Sequence, residues 1–157
     1  FALERELHER GRACYVLDGD NVRHGLNSNL GFSPPDRREN IRRIAEVARL
    51  MNDAGLMVIT AFISPWRADR HAARAIIGAA SFLEVHVGTP LAVCEARDPK
   101  GMYARARRGE LAEFTGVSSP YEAPLAADLT LDLGQLSLPE AVAQLVGRIG
   151  RHAAWQE

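Results

Sequence analysis

The sequence predicts an α/β fold of the doubly wound kind, a mostly parallel sheet flanked by helices, and three observations predict it. Short apolar runs at residues 13–17, 56–63, 82–87 and 129–133 have the length of strands. The second run, Leu56-Met57-Val58-Ile59-Thr60-Ala61-Phe62-Ile63, is nearly continuous, as a parallel strand covered on both faces should be. Stretches with apolar residues at helical spacing alternate with these runs, which puts helices on the faces of one sheet. Residues 1–157 read as a single domain, long enough to bury a sizeable core.

Taken in order, residues 1–10 read as a helix with Leu3 and Leu7 on one face and Gly11 as its cap. No start signal precedes it. An open parallel sheet normally begins with a strand, so a strand upstream of Phe1 is expected. Strand 13–17 runs into Asp18-Gly19-Asp20-Asn21-Val22-Arg23, read as an acidic loop. Residues 24–33 are rich in turn formers and read as a binding loop. Ser33, Pro34 and Asp36 make a strong helix start. That helix runs to about Asp53, with Ile41, Ile44, Ala45, Ala48 and Met51 on the core face and Arg42, Arg43 and Arg49 on a solvated one.

After strand 56–63, Ser64-Pro65 stops the chain and residues 68–80 form the next helix. Strand 82–87 follows. Thr89-Pro90 opens a short helix through Arg97, Asp98-Pro99-Lys100-Gly101 interrupts it, and a second short helix carries Tyr103, Arg105 and Arg107. Gly109, Gly116, Pro120 and Pro124 mark residues 109–127 as a long mobile segment. Beyond strand 129–133, a capping box at Ser137 and Glu140 starts a terminal helix bearing Val142, Leu145, Val146 and Ile149.

Composition narrows the function classes. Hydrophobic residues at 46% and charged residues at 25% are ordinary for a soluble globular protein, and a net charge of -1 counts against a general nucleic-acid or membrane surface. Lys100 is the only lysine, so the other eighteen cations are arginines, a side chain suited to bidentate binding of phosphate or sulfate. Arginine also replaces lysine in GC-rich genomes. Cys14 and Cys94 are far apart and make no CxxC pair, which suits a reducing, cytoplasmic setting. No apolar run reaches the length of a membrane span and no signal peptide is visible. His24 and His86 lack metal-ligand spacing, Tyr103 and Tyr121 read equally as packing residues, and Trp66 and Trp155 carry no functional signal.

The chemistry concentrates at residues 18–23. In an open parallel sheet, ligands sit beyond the carboxyl ends of strands. Two carboxylates there can hold a magnesium-bound phosphate or orient a hydroxyl, and an arginine can grip an anion. A polar loop with a surface ion pair is the other reading, and the hexapeptide alone leaves both open.

Six segments in order carry a resemblance. They are Asp18-Gly19-Asp20-Asn21-Val22-Arg23, Leu30-Gly31-Phe32-Ser33, Asp36-Arg37-Arg38-Glu39-Asn40-Ile41-Arg42-Arg43, Phe62-Ile63-Ser64-Pro65, Arg97-Asp98-Pro99-Lys100-Gly101-Met102-Tyr103, and Glu113-Phe114-Thr115-Gly116 with Ser119-Pro120-Tyr121-Glu122-Ala123-Pro124. Together they resemble the adenylylsulfate (APS) kinase family, P-loop kinases that phosphorylate the 3′-hydroxyl of APS in sulfate assimilation. The resemblance implies a P-loop NTPase-like sheet with a lid around residues 97–124, Mg2+ with ATP as cofactor, and ATP and APS as small-molecule partners. It also implies a homodimer, with fusion to or association with an ATP sulfurylase or GTPase subunit as a further context.

Carried over residue by residue, it makes Asp20 the carboxylate that orients or deprotonates the 3′-hydroxyl, near magnesium, supported by Asp18. Arg23, Arg37 and Asn40 would hold the phosphosulfate and ribose, and Phe32 and Phe114 would sandwich the adenine. Ile63 and Ser64 would line the same pocket. Family members also carry a phosphoserine assignment at the position of Ser64, a covalent step that direct in-line transfer does not require. Lys100 would reach the substrate from the lid, with Arg97, Arg105 and Arg107 on the nucleotide side.

Two departures stand out. The family's phosphate-binding loop, G-x-x-x-x-G-K-[ST], is absent from the sequence, and its strand and loop are expected immediately upstream of Phe1. The chain by itself is therefore expected not to catalyse the transfer. Gly88 stands where the family usually has an aspartate before Thr-Pro. The competing readings are a non-catalytic APS- or nucleotide-binding module, or a P-loop kinase acting on another small molecule.

Overall fold

The computed structural model describes residues 1–152, so Trp155 lies outside the described residues. Element order is α1 (Ala2–Glu9), β1 (Cys14–Asp18), α2 (Gly19–Arg23), α3 (Pro34–Asp53), β2 (Met57–Ala61), α4 (Arg67–Ile77), β3 (Val85–Val87), α5 (Leu91–Arg97), α6 (Met102–Arg107), β4 (Leu129–Leu131) and α7 (Leu138–Ile149). The helix starts follow the cap chemistry read from the sequence. Ser33 accepts from the Asp36 N–H, and Ser137 with Glu140 closes a reciprocal capping box. Gly11 follows α1 with φ +73°, a left-handed turn that glycine enters without strain.

Strands alternate between two helical faces. Cys14 and Met57 pack with Leu7 of α1, and Ile149 of α7 closes over them. Leu17 packs on the other side, with Val22 of α2 and Ile44 of α3. Cys14 and Leu17 are an odd number of residues apart, so they point to opposite faces of the pleat, as a doubly wound layer requires. Ile41 and Ala45 then join Ala73 of α4. Truncating Ile44, 3% exposed, to alanine would cost about 2–5 kcal/mol.

All pairings between these strands are parallel, in two separate pairs. β1 runs beside β2, with Cys14 opposite Met57 and Asp18 opposite Ala61; β3 runs beside β4, with Val85 opposite Leu129. The expected single sheet is thus divided among the described residues, and there β2 and β3 are hydrogen-bonded on one edge only. Both contribute to an apolar slot of about 600 Å³, which Leu3, Phe82 and Ile149 also line. The slot explains two corrections. β2 and β3 are shorter than the apolar runs 56–63 and 82–87, because strand structure ends where the ladder with its one partner ends. Nor is β2 covered throughout: Met57 is buried but Thr60 and Ala61 are exposed.

Residues 109–127 are irregular, yet their C-terminal end is pinned and not free. Glu122 donates its N–H to the Pro65 carbonyl at 2.9 Å, and Arg70 donates to the Glu122 carbonyl at 2.6 Å. Tyr121 stacks on His86, with ring centroids 6.0 Å apart, and Tyr103 meets Phe114 edge-to-face at 5.2 Å. Both tyrosines therefore pack. Gly88 follows β3 where a Cβ would come within 3.1 Å of the His86 ring.

Candidate active site

β1 ends at Asp18, and the following residues form a helical turn where the sequence reading placed an acidic loop. The physical reason is a cap. The Asp18 carboxylate accepts from the Asp20 and Asn21 N–H groups at 3.0 and 2.8 Å, while the Asn21 side chain accepts from the Asp18 N–H at 3.0 Å. Asn21 also donates to the Val16 carbonyl at 2.8 Å, which locks the turn to the strand. Gly19 is not among the positive-φ residues, so its role is not a left-handed turn. Asp18 is thus committed to the backbone. Asp20 is exposed, and its carboxylate makes no hydrogen bond or ion pair among the described residues.

Arg23 points from the end of α2 to the binding loop, donating to the Leu30 and Gly31 carbonyls at 3.1 Å each. Arg37, in the first turns of α3, donates to the Phe32 carbonyl at 2.9 Å and to the Glu113 carbonyl at 3.2 Å. Both guanidinium groups lie over the Phe32 ring, at 4.2 and 5.6 Å from its centre. Burial, then the adjacent Arg23 charge, lowers the Arg37 pKa below its ordinary value, against an opposing pull from Glu113. Two cations brought together in this way favour an anion between them.

A cavity of about 190 Å³ opens here, and Arg23, Phe32, Arg37, Asn40, Ile63 and Ser64 all line it. These six came from four separated stretches of sequence. The helical turn, the capped start of α3 and the end of β2 bring them together. Ser64 has φ +38°, a left-handed conformation costly for a residue with a side chain, and its carbonyl is fixed by Arg70 at 2.7 Å. Such strain is tolerated where the surroundings over-determine the backbone, and Arg70 does so by also pairing with Glu84 at 2.8 Å.

The remaining expected residues lie outside this cavity. Phe114 does not line it and is engaged by Tyr103, so the two phenylalanines do not form a ready aromatic clamp. Arg97 donates to the Leu133 carbonyl at 2.7 Å, Arg105 pairs with Glu110 at 3.3 Å, and Arg107 pairs with Glu95. Lys100 is exposed in the turn between α5 and α6. Among the described residues, no three His, Cys, Asp or Glu side chains converge as a metal cluster. Asp20, with its open carboxylate, fits a contact to a metal carried in on a nucleotide.

Of the arginines assigned to a solvated face, Arg42 and Arg49 are half exposed and pair along α3. Arg43 is not solvated in that sense. Its guanidinium donates to the Leu26 carbonyl at 3.1 Å and to the Asn29 side chain at 2.8 Å, tying the binding loop to α3. Sequence reasoning also passed over Asn27, fully buried, and Arg70, whose position in α4 gave no sign that it reaches Ser64, Glu84 and Glu122.

Comparison with known proteins bears on this site. The family model for adenylylsulphate kinase matches residues 1–132. An adenylyl-sulfate kinase of Shewanella amazonensis is 61% identical over 145 residues, covering 92% of this chain and 73% of the relative. The structure of the Mycobacterium tuberculosis APS kinase CysC in complex with AMPPNP and APS superposes with a TM-score of 0.89 at 47% identity, covering 94% of this chain and 86% of that one. A hexameric APS kinase from Thiobacillus denitrificans gives a TM-score of 0.71 at 34% identity, covering 98% of this chain and 26% of that one.

Proposed function

The chain belongs to the adenylylsulfate kinase family, and from that premise we propose that the cavity between α2, α3 and the end of β2 holds APS while ATP phosphorylates its 3′-hydroxyl. The observation that carries this reading is the convergence of Arg23, Arg37, Phe32 and Asn40 on one cavity. Arg23 and Arg37 present fixed donors to the phosphosulfate. Phe32, 60% exposed, offers its ring to the adenine. Asp20 stands one helical turn from Arg23, with both oxygens available to take the hydroxyl proton as the 3′-oxygen attacks the γ-phosphate in line. Asp20 would also contact, indirectly, a magnesium ion carried on ATP, which would neutralise phosphate charge there. Asn40 completes the acceptor side, Ile63 and Ser64 its floor, and no phosphoserine is needed for direct transfer.

Arg97, Arg105 and Arg107 would serve the nucleotide side, exchanging their present partners for ligand when the lid closes, while Lys100 would reach APS and Phe114 would leave Tyr103 to meet its adenine. The phosphate-binding loop itself is supplied, in this reading, by a strand that occupies the slot between β2 and β3. Support comes from the two unpaired strand edges and the apolar lining between them. We also read residues 1–157 as one domain of a cytoplasmic homodimer. Both cysteines are free, and no helix among the described residues is long and apolar enough to cross a membrane.

The test is APS-dependent ADP release by the protein carrying its phosphate-binding strand. Asp20→Ala is expected to lower kcat by roughly 10²–10⁴-fold, the range for a lost general base, with APS affinity nearly unchanged. Binding of APS without turnover would favour the non-catalytic module, and phosphorylation of a different small molecule would favour another acceptor.

A further inference from the structure

Asn27 is the one large side chain that is completely buried among the described residues, and it lies directly behind the proposed acceptor cavity. Its Nδ2 donates to Oδ1 of Asn40 at 3.0 Å. Asn40 is itself only 4% exposed, and it lines the cavity. An asparagine amide can be turned either way, and its neighbours decide which end faces where. Here the decision is made by charge. Arg43 is donor-only, and its guanidinium nitrogen lies 3.5 Å from Asn27 Oδ1, 3.1 Å from the Leu26 carbonyl and 2.8 Å from Asn29 Oδ1. A cation on that side holds Asn27 with its oxygen toward Arg43 and its NH2 toward Asn40.

We propose that Asn27 is a positioning residue: relaying the polarity set by Arg43, it holds Asn40 with Oδ1 turned away and Nδ2 offered as a hydrogen-bond donor to an acceptor atom of the bound substrate. The proposal rests on the reading that Asn40 contacts APS. Asn40 Nδ2 donates to no group among the described residues, so the donor is available to the ligand. The backbone supports the same orientation, since the Asn27 N–H donates to the Val22 carbonyl at 2.9 Å and ties the residue to α2. The chain Arg43, Asn27, Asn40 therefore gives the cavity a third donor, beside the two arginines, matched to an oxygen-rich anion or a ring nitrogen.

Asn27→Asp tests this directly. An aspartate beside Arg43 keeps its partner, yet it accepts from position 40, so Asn40 turns and presents Oδ1 to the substrate. APS affinity, measured by calorimetry on the protein, is expected to fall at least tenfold. Asn27→Ser keeps a donor and is expected to lose no more than about threefold. In the wild type, the Asn40 side-chain NH2 signals should shift on addition of APS, and in Asn27→Asp they should not. If Asn40→Ala weakens APS but Asn27→Asp does not, the relay is wrong while the Asn40 contact stands. If neither changes affinity, the reading of Asn40 fails and takes the relay with it. Equal losses in Asn27→Asp and Asn27→Ser would reduce Asn27 to packing and overturn the proposal. Should Asn27→Asp not fold, an Asn40 signal unmoved by APS in the wild type overturns it as well.

Discussion

The acceptor corner and the lid both carry several arginines, and they hold them differently. At the proposed acceptor corner, Arg23 and Arg37 donate to main-chain carbonyls and lie over Phe32, and among the described residues neither forms an ion pair with a carboxylate, although Glu113 is near enough to pull on Arg37. In the lid, Arg105 and Arg107 are paired with Glu110 and Glu95. A carbonyl orients a guanidinium without neutralising it, whereas a carboxylate does both. The proposed acceptor side is consequently built before any ligand arrives. Arg105 and Arg107 must first leave their carboxylates, and such exposed pairs do little to prevent it.

APS binding measured without nucleotide distinguishes the two sets of arginines. Arg37→Ala should weaken it by roughly 10–100-fold, the equivalent of about 1.5–3 kcal/mol for a lost charged hydrogen-bonding group. Arg107→Ala should change it less than about twofold under the same conditions, and show its effect only when ATP is present. Comparable losses in the two variants would erase the distinction between the built and unbuilt halves.

A smaller effect concerns how α3 is held. Hydrogen bonds from Arg42 and Arg43 keep the Glu39 pKa down, from 4.5 to about 2. A carboxylate depressed in the folded state contributes stability above its unfolded pKa and loses it as pH falls through the folded one. The melting temperature should therefore decline between about pH 4.5 and pH 2, and Glu39→Gln should flatten that decline. Because Arg43 also holds the binding loop, the same variant should slightly loosen residues 26–29, which amide exchange would register.

Much of the candidate cavity's lining was legible in the sequence because its residues sit at local signals. Asp18 ends an apolar run, Ser33 and Pro34 mark a helix start, and Arg37 and Asn40 fall one turn apart on the helix that follows. Other features depend on contacts distant in sequence. Asn27 resembles any turn asparagine in its loop, and only the arrival of Asn40 and Arg43, 13 and 16 residues on, buries it. Arg70 is anonymous within α4 until Glu122 comes within reach across 52 residues. The helical turn at residues 19–23 was hidden by its acids and glycine, which read as loop. The reciprocal Asp18–Asn21 cap outweighs those propensities. The division of the sheet was not legible, since apolar runs announce strands but not which edges are paired.

A crystal structure of the protein with APS will show whether APS occupies the cavity between α2, α3 and β2. The phosphosulfate should lie between Arg23 and Arg37, with the adenine against Phe32 and the 3′-hydroxyl toward Asp20. APS bound in the slot between β2 and β3, or against the lid with this cavity empty, would contradict it.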